Sequence, residues 1–276
     1  MKKFEHLKLI TTRSTGYDHI DIGYCKENGI DVANVPSYGE NTVAEHALML
    51  LLALMKRLPE AEERVKQNSF TPAGLTGKDL KGKTIGIVGV GHIGQYMIRY
   101  AKGLEMTVLA YDKYPSEELS SELGFTYTSL ENLFNNSDII SLHLPYNDST
   151  RHVVNRSSIE KMKDGAVLIN TARGGLIETD ALFDALRSGK VGGAGLDVLE
   201  EESFLSEELE LLHSDKHEGV DFKVALENHM MSYLPNVIIT PHNAFNTKEA
   251  LERIIATTIK NILCYSQGSC DNLIKK

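Results

Sequence analysis

Apolar residues in this chain come in short continuous runs separated by segments of helical spacing. Leu7-Lys8-Leu9-Ile10 reads as a short strand, Tyr17 to Asn28 as a helix stopped by Gly29, and Ile30 to Val35 as a second strand ended by Pro36. Thr42-Val43-Ala44-Glu45 has the form of a capping box, opening a helix to about Arg57 whose apolar positions surround most of its circumference. Pro59 to Lys81 is polar, contains Pro72, Gly74 and Gly77, and reads as a loop-rich connection.

Beyond it the pattern is regular. Strands are predicted at Thr84–Val88, Thr107–Tyr111, Phe125–Tyr127, Asp138–Leu142, Ala166–Asn170, Gly193–Leu196 and Val237–Thr240. Helical patterns lie between most of them, among them Ile93–Gly103, Ser157–Met162 and Thr179–Arg187. Short apolar strands alternating with helices imply an α/β fold, a doubly wound parallel sheet covered on both faces. Glu200 to Pro235 interrupts the alternation with an acidic and polar insertion; Thr247 to about Tyr265 is a long amphipathic helix, and Gln267 to Lys276 a polar tail.

Composition narrows the class. With 276 residues, 42% of them hydrophobic and 24% charged, the chain has ample core for one large domain or two smaller ones. A net charge of −9 gives no overall attraction to nucleic acid or anionic lipid. The longest apolar run, Ala47 to Met55, is far short of the roughly 20 residues of a membrane span, and the N-terminus has no apolar signal core. Cys25, Cys264 and Cys270 are odd in number and fit no zinc spacing, so reduced thiols in the cytoplasm, and no metal, are expected.

Gly89, Gly91 and Gly94 form G-x-G-x-x-G between a predicted strand and a predicted helix, the context in which this spacing cradles a pyrophosphate. Asp112, at the end of the next strand and 18 residues beyond Gly94, suits the adenosine ribose hydroxyls and repels a 2′-phosphate, which favours NAD. Lys113 beside it leaves room for weak NADP use. Further polar residues follow the later strands: Thr171-Ala172-Arg173-Gly174-Gly175, then Asp197 with Glu202 five residues on, then Pro241-His242. Singly, each has a plainer explanation as a loop or surface residue. Together they suit 2-oxoacid chemistry: an Arg fork for a carboxylate and its adjacent carbonyl, a His as acid/base, and a carboxylate that raises the His pKa.

These segments, with Ser141-Leu142-His143-Leu144-Pro145 and Ile239-Thr240-Pro241-His242, resemble the D-isomer-specific 2-hydroxyacid dehydrogenase family, in the family's order along nearly the whole chain. Thr12 to Asp21 and Asn34 to Tyr38 look most like its D-lactate dehydrogenase branch. The resemblance implies NAD-dependent reduction of a small 2-oxoacid, most readily pyruvate to D-lactate, with glycerate, hydroxypyruvate or phosphoglycerate chemistry as other options. It gives catalytic roles to Arg173, Glu202 and His242. It implies cofactor contacts from His92, Ile93, Leu144, Pro145, Thr150, Thr171, Ala172 and Asp197, the last to the nicotinamide carboxamide. Thr15, Gly16 and Tyr38 are implied on the substrate, and a homodimer through the helix near Thr42 to Arg57.

The family fold places a Rossmann domain at residues 37–242 and a flavodoxin-like substrate domain at residues 1–36 with 243–276. That second domain is expected to be incomplete, because family members carry about sixty more residues ahead of Leu7. An uncovered apolar face and impaired closure over the site are then expected, and a non-catalytic NAD-binding or dimerisation module is the competing function.

Overall fold

The computed structural model describes residues 4, 6–17, 19–202 and 222–274. Asp18 and most of the acidic insertion, 203–221, lie outside the described residues. The chain divides into two compact units, one of Met1–Thr42 with Phe245–Lys276, the other of Val43–Ala244.

The smaller unit is built on β1 (Leu9–Thr11) and β2 (Asp31–Ala33), paired in parallel with Ile10 opposite Val32. Between them α1 (Ile22–Glu27) is capped by Asp21, whose carboxylate accepts from the Tyr24 N–H at 2.8 Å. Cys25, Ile30 and Val32 form its buried centre. The C-terminal segment is more than a polar tail. After the last helix, Lys248–Ser266, Leu273 bridges Ala33 in antiparallel fashion and the Ile274 N–H donates to the Val32 carbonyl. Buried Asn261 locks this turn, donating to the Asn34 carbonyl and accepting from Asn272 Nδ2. The same helix exposes Leu251, Ile255, Ile259 and Leu263 along one face.

The larger unit carries β3 (Thr84–Val88), β4 (Thr107–Tyr111), β5 (Thr126–Tyr127), β6 (Ile139–Leu142), β7 (Ala166–Asn170), β8 (Val191–Leu196) and β9 (Val237–Ile239). They form one parallel sheet in the order β5-β4-β3-β6-β7-β8-β9. The order reverses beside β3, which creates a ligand crevice at the carboxyl ends of the strands. Alternate residues feed two cores. Ile85, Ile87, Val167 and Ile169 join Met97, Ile98 and Leu50 on one face; Ile140, Leu142 and Leu168 join Phe134, Leu182 and Leu186 on the other. Burial on both faces is why these strands read as continuous apolar runs.

Three local expectations need correction. The helix α2 runs Glu40–Met55, so Thr42 lies inside its first turn, buried against Gly39, and does not cap it. Glu40 instead supplies the negative charge that suits a helix start. The polar stretch after it begins with a helix, α3 (Leu58–Lys66): Pro59 sits at the helix start, where its missing N–H costs nothing, and Glu60, Glu62, Glu63, Arg64 and Lys66 are good helix formers. Within the insertion, Phe222–Met231 forms a helix that precedes β9.

Candidate active site

The glycine loop joins β3 to α4 (His92–Gly103), and its three glycines have separate reasons. Gly89 has φ +101°, and a Cβ there would stand 2.7 Å from the His143 carbonyl oxygen. On Gly94 a Cβ would stand 2.1 Å from the Gly89 oxygen, so only glycine lets helix and strand close together. Gly91 differs: a Cβ would meet no protein atom within 4 Å. Its surface borders open space at the start of a 12-residue helix, where backbone N–H groups and the positive dipole end favour an anion. Asp112 braces this loop, with Oδ2 accepting from the Val90 N–H at 2.8 Å and Oδ1 from the Tyr114 N–H at 2.9 Å. Each oxygen keeps acceptor capacity for ribose hydroxyls. Thr171, just beyond β7, holds a buried hydroxyl with no hydrogen-bond partner among the described residues, a second polar atom suited to a bound group. The residues fit NAD.

Leu144 and Pro145 follow β6. Thr150 closes the loop they begin, its hydroxyl donating to the Pro145 carbonyl at 2.7 Å. Arg173 and Ala172 lie in the loop after β7, where Nη1 of Arg173 donates to the Ala172 carbonyl and buried Asn170 binds both Ala172 N–H and Arg173 carbonyl.

Beyond β8 and β9 the geometry tightens. His242 Nδ1 lies 2.7 Å from Glu202 Oε1, and Glu202 Oε2 accepts from the Leu199 N–H. His242 has φ +48°, a left-handed conformation for a non-glycine residue, and its N–H is held by the Asp197 and Thr240 carbonyls, both at 2.9 Å. The Glu202 hydrogen bond raises the His242 pKa above its ordinary 6.5, opposed by partial burial and by the charge of Arg173, and reinforced by the charges of Glu202 and Asp197. Arg173, Glu202 and His242 thus stand at the ends of three neighbouring strands, β7, β8 and β9, with the charges of the first two acting on the third.

Asp197 is 1% exposed. Oδ1 accepts from Thr240 Oγ1 at 2.5 Å and the Asn243 N–H at 3.0 Å, with His46 Nε2 at 3.4 Å; Oδ2 accepts from the Ala244 N–H at 2.9 Å. Burial alone would raise its pKa, but these donors hold it below the usual carboxylate value. Asp197 therefore braces the backbone that presents His242. Its partners His46 and Thr240 were not among the sequence-derived candidates. A histidine on the otherwise apolar face of a buried helix was the signal for the first. Another, His143, hydrogen bonds Ser141 Oγ at 2.9 Å, and burial lowers its pKa to about 4.

Thr15, Gly16 and Tyr38 belong to the smaller unit, in the loops that follow β1 and β2. Thr15 Oγ1 donates to the Val35 carbonyl at 3.0 Å, Ser14 Oγ to the Gly16 carbonyl at 2.6 Å, and Arg253 Nε to the Tyr38 carbonyl. Among the described residues no group of three or more His, Cys, Asp or Glu side chains could hold a metal, and no helix is long and apolar enough to cross a membrane.

Residues 48–244 match the family model described as the NAD binding domain of D-isomer specific 2-hydroxyacid dehydrogenases. The chain is 39% identical to a D-lactate dehydrogenase of Escherichia coli strain K12, over 96% of this chain and 78% of that one. It is 38% identical to an aromatic 2-oxoacid reductase of Clostridium sporogenes, over 96% and 78%. Among solved structures, a D-lactate dehydrogenase from Aquifex aeolicus, complexed with NAD and lactic acid, superposes with a TM-score of 0.88 at 42% identity, covering 97% of this chain and 78% of that one. A seven-stranded sheet of this order, an NAD-fitted glycine loop, a His–Glu pair beside an Arg, and these relatives lead to one assignment: the chain belongs to the D-isomer specific 2-hydroxyacid dehydrogenase family of NAD-dependent oxidoreductases.

Proposed function

We propose that this chain reduces pyruvate to D-lactate, within the wider class of small 2-oxoacids, and that Arg173, Glu202 and His242 carry the reaction. The observation behind this reading is the 2.7 Å contact of His242 Nδ1 with Glu202, which raises the His pKa and leaves Nε2 as the proton-bearing edge of the ring. Bound NADH supplies the hydride that adds to the carbonyl carbon of the substrate.

Each residue has a defined task. The Arg173 guanidinium holds the substrate carboxylate by paired hydrogen bonds and polarises the neighbouring carbonyl. Protonated His242 donates its Nε2 proton to the carbonyl oxygen, so that a hydroxyl forms as the C=O π bond breaks. Glu202 stabilises the imidazolium before transfer and orients the ring throughout. In the reverse direction, neutral His242 accepts the hydroxyl proton. Gly89, Gly91, Gly94, His92 and Ile93 receive the pyrophosphate, Asp112 the ribose, Leu144, Pro145 and Thr150 the adenosine side, and Thr171 with Ala172 the nicotinamide. Asp197 Oδ2 has one donor among the described residues and capacity for a second, which we assign to the carboxamide. Thr15, Gly16 and Tyr38 complete the substrate contacts in this reading. Supporting a homodimer through α2, that helix exposes Met49 and Leu52. The setting is the cytoplasm, where NADH and 2-oxoacids meet.

The test is NADH oxidation with a panel of 2-oxoacids: pyruvate, hydroxypyruvate, phenylpyruvate and 2-oxoisocaproate. Pyruvate with the highest kcat/KM supports the reading; a preference for a bulky aromatic or branched acid overturns the choice of substrate, and no turnover with any overturns the reaction.

A further inference from the structure

Two loops of the larger unit carry the reactive side chains: the one after β7 holds Arg173, the one after β8 holds Glu202. A single residue on a third loop touches both. His152 donates its backbone N–H to the Gly175 carbonyl at 2.9 Å, two residues beyond Arg173. Its ring Nε2 lies 2.7 Å from Glu200 Oε1, two residues before Glu202. Its carbonyl accepts from Asn155 Nδ2 at 2.9 Å, and its φ of +50° is a left-handed conformation that a non-glycine residue adopts only when its surroundings hold it there.

Glu200 is anchored on every side. Its Oε2 accepts from Thr179 Oγ1 at 2.8 Å, and its carbonyl from Nδ2 of fully buried Asn228 at 2.7 Å. The two loops also touch directly: a Cβ on Gly174 would stand 2.0 Å from the Leu199 carbonyl carbon and 2.3 Å from the Glu200 nitrogen. The His152 and Glu200 side chains are only 24% and 18% exposed, so water competes weakly for their hydrogen bond. Neither touches a position the reaction needs, yet both sit between residues that do.

We propose that His152 and Glu200 are positioning residues, a bracket that sets the spacing between Arg173 and the Glu202–His242 pair. This rests on the functional reading above for the reaction and for the roles of Arg173, Glu202 and His242. The loops after β7 and β8 lie on adjacent strands, and His152 spans them from a third, with Thr179 adding a second tie to Glu200. The bracket also keeps Glu202 at hydrogen-bond distance from His242, whose charged neighbours are Glu202, Asp197 and Arg173.

The experiment compares His152→Ala, His152→Gln and Glu200→Gln with wild type by two readouts. The first is the titration of His242, followed by NMR of the histidine-labelled protein, with His242→Gln identifying the resonance. The second is steady-state reduction of pyruvate. Loss of the bracket lets Glu202 drift, so His152→Ala and Glu200→Gln lower the His242 midpoint towards its ordinary value. They reduce kcat/KM about 10- to 100-fold, mostly in kcat, the scale of a 1 Å misplacement. The dissociation constant for NADH stays within about twofold, and His152→Gln, whose amide can still donate to Glu200, recovers most of the loss. An unchanged His242 midpoint with unchanged kcat/KM in both His152→Ala and Glu200→Gln overturns the bracket. So does a loss that His152→Gln fails to rescue and that tracks lowered thermal stability. If wild type does not turn over pyruvate but the His242 midpoint responds as stated, the bracket stands and the choice of substrate falls.

Discussion

His242 Nδ1 and Glu202 Oε1 stand 2.7 Å apart, joining the ends of two adjacent strands of the larger sheet. The contact raises the His242 pKa, so the imidazolium persists to higher pH than in a free histidine. In the proposed reaction, reduction uses the protonated ring. The rate of 2-oxoacid reduction is therefore constant at lower pH and falls as pH rises through the raised pKa, while hydroxyacid oxidation rises over the same interval. Any contribution of this pair to folding has the same sign: present below the ordinary histidine pKa, lost as pH rises through the raised one. Glu202→Gln moves the limb of kcat/KM to lower pH. A limb that stays in place excludes Glu202 as the partner.

Arg173 separates charge from geometry. Arg173→Lys keeps a cation but loses the planar fork, and raises KM for the 2-oxoacid about tenfold or more while leaving NADH affinity within about threefold. Arg173→Ala loses both and reduces kcat/KM by about 10³-fold, on the scale of removing a charge-stabilising group from a reacting centre. Equal turnover by Arg173→Ala and wild type excludes it as the carboxylate clamp.

The glycine loop yields a contrast between two neighbours. Gly94→Ala places a methyl group 2.1 Å from the Gly89 oxygen and destabilises the unit by about 1–3 kcal/mol, read as a lower melting temperature without cofactor. In Gly91→Ala the methyl enters space free of protein atoms, so the melting temperature without cofactor is preserved. What falls is the extra stabilisation that NAD gives, which scales with the logarithm of ligand concentration over its dissociation constant. A normal NAD-induced shift in Gly91→Ala places the pyrophosphate elsewhere.

Buried Asp197 makes a stability prediction. In Asp197→Asn an amide NH2 faces a backbone N–H, and a carboxylate that accepted four donors is lost, a cost of about 2–4 kcal/mol. Its pKa is held below the ordinary aspartate value of 3.8, so this stability is fully present above that pH and disappears as pH falls through the lower, folded-state value. Denaturation at neutral pH and at successively lower pH checks both size and sign; a gap that widens in acid contradicts the assignment.

How far the sequence carried depended on whether a residue's role is local. Strands β3, β4, β6 and β7 were legible within a residue because burial on both faces writes a continuous apolar run. Gly89, Gly91, Gly94 and Asp112 were legible because spacing along one strand-loop-helix unit determines them. Arg173, Glu202 and His242 could be picked as polar residues at strand ends, and their grouping follows from the parallel sheet. Helix α3 was hidden because Pro59 marks a helix start and a loop equally well. The bracket of His152 and Glu200, and the hold of His46 and Thr240 on Asp197, join positions 48, 151 and 43 residues apart, which no local pattern encodes. For the same reason the pairing of Leu273 with Ala33 could not be read from a polar tail.

The most direct measurement is the stereochemistry and stoichiometry of the product. Purified protein is incubated with pyruvate and NADH, and the lactate formed is resolved into enantiomers and compared with the NADH consumed. One D-lactate per NADH, abolished in His242→Gln, is the predicted result; L-lactate, or no NADH consumption by the folded, NADH-binding wild type, contradicts the account.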